Sequence, residues 1–157
     1  MITLKDISNA IITQVTNGLV GTLYSAISFA MTDIKEKVTR PSFFLEFDSN
    51  KAGRFNAVCK ERTLSAKIYY FASDISVYKE EIIAVQGYLE DIFLEYLAVN
   101  DSFIIDIAEL DFTVNGGALI CTMELYTIED ISDEPFPGTV QSTANDNTED
   151  MEELDIS

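Results

Sequence analysis

The residues able to do chemistry are carboxylates, two thiols and a pair of glycines. Glu80-Glu81 and Glu90-Asp91 are paired acids of the kind that serves proton transfer or metal binding. Adjacent residues on a helix do not face each other, so these pairs read as a solvated helix face. Asp146-Asn147-Thr148-Glu149-Asp150 has the acids of a calcium loop but lacks its central glycine and closing glutamate. Cys59 and Cys121 are far apart in sequence and are expected as free thiols, Cys121 as a small apolar residue inside a strand. The chain has no histidine, which removes imidazole-based triads and metal sites. Gly116-Gly117 fits a tight turn and not a phosphate cradle. No catalytic, cofactor or metal site is expected, and so no enzyme.

The charge distribution is more informative. The net charge is −17, yet 35–67 holds eight of the ten basic residues against four acids. That stretch is +4 (8 − 4), which leaves −21 for the rest. Residues 129–157 carry ten acids and no Lys or Arg. Nucleic-acid binding is disfavoured, because DNA requires an excess of phosphate-neutralising cations. A protomer with a basic zone and an acidic zone suits head-to-tail self-association. Lys51, Arg54, Lys60 and Arg62 supply the basic half of such an interface, and Glu80, Asp91 and Glu95 the acidic half.

The elements that must position these charges follow from periodicity. In the 157 residues, 47% are hydrophobic, enough for one domain with a real core. No apolar run is long enough to span a bilayer. The opening Met1-Ile2-Thr3-Leu4-Lys5-Asp6 lacks the layout of a secretory signal, so a cytoplasmic protein is expected. Ile82, Val85, Leu89, Ile92, Phe93 and Tyr96 recur at steps of three and four. They predict one long central helix over 77–99, about six turns, with Glu80, Ala84, Gly87, Asp91 and Glu95 opposite. Ala72 to Ser76 is a cap-rich linker into it, and Asn100-Asp101 closes it.

Thr3 and Asp6 have the spacing of a capping box, and Leu4, Ile7, Ile11 and Val15 follow as a helical stripe over 4–16. Asn17-Gly18 is expected to stop that helix. A strand is expected over 22–29, then a charged connection to Arg40-Pro41, then a strand from Ser42 to Phe47. Asp48 to Ala52 reads as a turn. Leu64, Ala66, Ile68 and Tyr70 alternate with Thr63, Ser65, Lys67 and Tyr69, a strand with one dry face that pairs with 42–48 as a long hairpin. Its basic tip is expected to project. Phe103 to Asp106 and Glu109 to Val114 are further strands, and Asn115-Gly116-Gly117 is a hairpin turn into Ala118–Ile128. After Asp130, Pro135, Pro137 and Gly138 break structure. Leu154 and Ile156 could anchor the end on a partner. The expected fold is α+β: a mixed or antiparallel sheet of about four to five strands, packed by an N-terminal helix and the central helix. The domain is 1–130, and 131–157 is a disordered acidic tail.

Certain runs go further: the opening Met-Ile-Thr-Leu-Lys-Asp-Ile, Arg40-Pro41-Ser42-Phe43-Phe44-Leu45-Glu46, Leu64 to Phe71, and the late hairpin ending Glu124-Leu125-Tyr126. In this order of elements they resemble, over about 1–130, the small tail terminator (tail completion) proteins of phages and prophage-like elements of Gram-positive bacteria, and of contractile tail-like bacteriocins. The resemblance implies a homo-hexameric ring that caps the tail tube, ends its polymerisation and contacts the head–tail connector or the sheath end. It implies assembly in the bacterial host cytoplasm, then residence in the virion or tail-like particle, with no membrane partner. Two other readings are another neck component, such as a head–tail connector, and an acidic DNA mimic that inhibits a DNA-binding protein.

Overall fold

A computed structural model of the chain describes residues 1–30 and 39–132. The helix α1 (Leu4–Gly18) opens on the expected capping box: the Thr3 hydroxyl accepts from the Asp6 N–H, and the Asp6 carboxylate accepts from the Thr3 N–H. Gly18 does not stop α1 by adopting a left-handed conformation, since Gly18 is absent from the positive-φ glycines and Leu19 caps in the right-handed region. Its role is close approach: a Cβ there would stand 2.4 Å from Ile92 Cγ1.

The strand expected over 22–29 does not form. Residues 19–30 run through successive turns and touch the sheet by one parallel bridge between Phe29 and Phe43. The apolar residues there pack singly: Leu19 is buried, and Tyr24 sets its ring edge against Tyr70 and Tyr88. The charged connection falls mostly on 31–38, outside the described residues.

After a cis Arg40–Pro41 peptide, β1 (Ser42–Arg54) and β2 (Cys59–Phe71) pair antiparallel from Ser42↔Phe71 to Arg54↔Lys60. The turn expected at 48–52 is instead strand. Its polar residues are absorbed by a register shift at Asp48, whose carboxylate lies 3.6 Å from Lys67 Nζ, and the chain reverses at 55–58.

The helix α2 (Lys79–Ile92) is shorter than expected. The residues that continue its period, Tyr96 to Val99, form β3 (Tyr96–Asn100) and pair with β4 (Phe103–Asp106). Asn100-Asp101 therefore leads into a strand turn rather than closing a helix. Leu97, opposite Ile105 in that pair, is fully buried, whereas Tyr96 faces outward and not into the core. Tyr78 caps α2 with no side-chain hydrogen bond, so the Ala72–Ser76 linker supplies no cap.

The last hairpin joins β5 (Leu110–Asn115) to β6 (Ala118–Asp130) through Gly116-Gly117, at φ +59° and +81° as the tight turn demands. Strand order is β1-β2-β6-β5, all antiparallel, with β3–β4 as a separate pair. The fold is thus α+β. The helices and β3–β4 cover one sheet face, where Leu64, Ala66, Ile68 and Tyr70 of β2 meet Leu119, Cys121, Met123 and Leu125 of β6. The chain leaves β6 with Ile131 buried and its N–H on the Val58 carbonyl. Leu154, Ile156, Asp146–Asp150 and nearly all of the expected tail lie outside the described residues.

Candidate functional site

The paired acids do not converge. Glu80 is exposed, while Glu81 turns inward, where its carboxylate accepts from the Tyr70 hydroxyl and from the N–H and hydroxyl of Ser73. Burial raises the Glu81 pKa, but these hydrogen bonds outweigh it and hold the carboxyl below its ordinary value. Burial, and then the bond to Glu81, push the Tyr70 phenol well above its usual range. Glu81 thus ties α2 to the end of β2. Glu90 and Asp91 are exposed. Among the described residues no group of acids and thiols could hold a metal ion, and no helix is long and apolar enough to cross a membrane. Both cysteines are free: Cys59 lies opposite Asp130, and Cys121 opposite Ile68.

The four expected basic residues lie at the far end of β1 and β2, but not on one surface. Cross-strand partners share a face. Ala52↔Arg62 and Arg54↔Lys60 therefore put Arg54, Lys60 and Arg62 on the side that carries the core, and Lys51↔Thr63 puts Lys51 on the other. Arg62 is not an exposed tip residue. It is 8% exposed and donates from Nη1 to Asn50 Oδ1 at 3.0 Å, so it braces the hairpin. Beside them Glu129, opposite Lys60, accepts from the Ile2 N–H at 2.6 Å.

The acidic residues lie elsewhere. Glu80 and Asp91 are eleven residues apart on α2, about three turns, so both fall on one exposed stripe. Glu95 is exposed beyond the end of α2, where its carbonyl accepts from the Ile107 N–H. Lys60 to Phe71 is eleven steps of β2, roughly 36 Å of strand. The Tyr70–Glu81 contact fixes the start of α2 at the Phe71 end. Arg54 and Lys60 therefore occupy the opposite end of β2 from Glu80.

Sequence reasoning missed a cleft of about 900 Å³ at that second end. It lies between 23–27, Pro41 and the first turns of α2, and Leu23, Tyr24, Ile27, Val77, Glu80 and Ala84 line it. The exposed apolar residues Leu23 and Val77 were the available signal, but their meeting depends on the chain path.

A family model described as phage tail terminator protein matches residues 6–137. Among curated proteins no sequence matches the chain. The matched span takes in every helix and strand of the fold except the first two residues of α1. The chain belongs to the phage tail terminator family, and with it to the structural, virion-associated proteins that interact with other components of a phage tail.

Proposed function

We propose that the chain assembles head-to-tail into a closed ring of six copies that caps the tail tube, ends its polymerisation and presents a surface to the neck or the sheath end. Assembly takes place in the bacterial host cytoplasm, and the ring then stays in the virion or tail-like particle. The observation that carries this reading is the separation of charge along β2. Residues 51–62 hold four cations and one acid; residues 74–95 hold six acids and one lysine. Arg54 and Lys60 lie at one end of a strand about 36 Å long and Glu80 at the other, too far apart to neutralise each other within one copy.

Such a protomer presents one zone to the other zone of a neighbour. One patch against a different patch is a heterologous contact, and it makes a ring when its rotation closes. Arg54 and Lys60 face Glu80, at the start of α2 of the next copy, in this reading; Lys51 projects from the other side of the hairpin and Arg62 holds the hairpin in shape. Light scattering of the Arg54→Glu, Lys60→Glu double variant tests it: a ring mass that falls supports the interface, and an unchanged mass overturns it.

A further inference from the structure

We infer that the turn at 55–58 of one copy is a plug that seats in the cleft beside α2 of the next; this rests on the ring reading above. The turn is apolar where a hairpin tip is ordinarily polar: Phe55 is 55% exposed and Val58 46%. It is also held in shape. The N–H groups of Phe55 and Asn56 both donate to the Cys59 carbonyl, Val58 N–H donates to Asn56 Oδ1, and the Val58 carbonyl accepts from Ile131. A preformed apolar tip loses little conformational freedom on docking.

The cleft offers the matching half. Tyr24 and Ile27 are half-buried within it, and Leu23 and Val77 are 92% and 75% exposed at its edge. Apolar side chains so exposed around a concavity mark a binding surface. At about 900 Å³ it has room for a loop tip and not only one side chain. Glu80 and Glu81 line it together with Lys79, and Asp74 lies close to Glu81. The plug carries Arg54 and Lys60 on its flanks. The apolar centres match, the charged rims are complementary, and the two features lie at opposite ends of β2, so the turn can fill the cleft only of another copy. An apolar anchor inside a charged rim is the arrangement that concentrates binding energy at an interface.

Two surface variants of the full chain test this by sedimentation velocity. Phe55→Asp spoils the plug and leaves the cleft intact; Leu23→Asp does the reverse. Both side chains are exposed, and unchanged circular dichroism and melting temperature establish that the variants fold. Each variant alone is expected to sediment as a monomer of 17.5 kDa at concentrations where the unaltered chain forms rings. Their equimolar mixture retains one good junction and is expected to stop at a dimer of about 35 kDa, twice the chain mass. Rings formed by Phe55→Asp, or a mixture that stays monomeric, overturn the plug while leaving the ring reading standing. An unaltered chain that never associates overturns both.

Discussion

The Tyr70 hydroxyl, at the end of the buried column of β2, donates to the Glu81 carboxylate in the first turn of α2. This contact aligns α2 with the sheet and so places Glu80 at the mouth of the cleft. Glu81→Ala removes three hydrogen bonds to a charged acceptor and is expected to cost about 2 kcal/mol at pH 7. The carboxyl binds its proton less tightly in the folded state than in the unfolded one. Its contribution is therefore present above the ordinary glutamate range and is lost as pH falls through the lowered native value. The gap between the unaltered chain and Glu81→Ala should narrow in acid, read by urea titration from pH 7 to pH 3. A constant gap would show that Glu81 does not titrate as described.

Gly18 and Ile92 define the approach of α1 to α2. In Gly18→Ala the new Cβ would stand 2.4 Å from Cγ1 and 2.7 Å from Cδ1 of Ile92, so the isoleucine must move. Alanine normally favours a helix by about 1 kcal/mol over glycine. Here overpacking is expected to reverse that sign, with a net loss of about 1 kcal/mol. Adding Ile92→Val, which removes Cδ1 from the overlap, should recover part of the loss. A Gly18→Ala chain that melts higher than the unaltered one would contradict this packing.

At the charged ends, Arg54→Glu alone and Glu80→Lys alone should each weaken association on the order of tenfold, or 1.4 kcal/mol. The double swap should restore much of it, and the effect should fade with added salt. Concentration-dependent light scattering at low and high salt reads all of this. Additive losses in the double variant would mean that the two residues do not meet.

The thiols differ in reactivity by position. Burial, with Asp111 and Glu90 adding to it, pushes the Cys121 thiol up to about 12, and the side chain is fully buried. Cys59, near the hairpin turn, is half-exposed. A colorimetric disulfide reagent at pH 8 should titrate one thiol promptly and the second only after unfolding. Two fast thiols would contradict the burial of β6.

Much of this architecture was legible because it is local. The Thr3–Asp6 capping box, the alternation of Leu64 to Tyr70 and the Gly116-Gly117 turn each rest on neighbours in sequence, and the structure keeps all three. The errors arose where a distant partner decided the outcome. Tyr96 continued the helical period of Ile82 to Phe93, but Leu97 buries against β4 and draws its neighbours into a strand. Asp48 and its polar neighbours read as a turn and became an irregularity in β1, because β2 pairs beyond them. Arg62 reads as a surface cation, but it lies between β1 and β6, opposite Ala52 and Thr127, is buried there and bonds Asn50 across the hairpin. The segregation of charge was visible in sequence. That Arg54 and Lys60 sit at the opposite end of β2 from Glu80 required the register and the Tyr70–Glu81 contact, and the cleft required Leu23 and Val77 to be brought together from separate segments.

The most direct measurement is electron microscopy of tail tubes polymerised with and without the purified protein. Closed rings seated on one end of tubes that have stopped growing are the predicted result. Tubes that grow to the same length with bare ends, beside a protein that remains monomeric, would contradict the account.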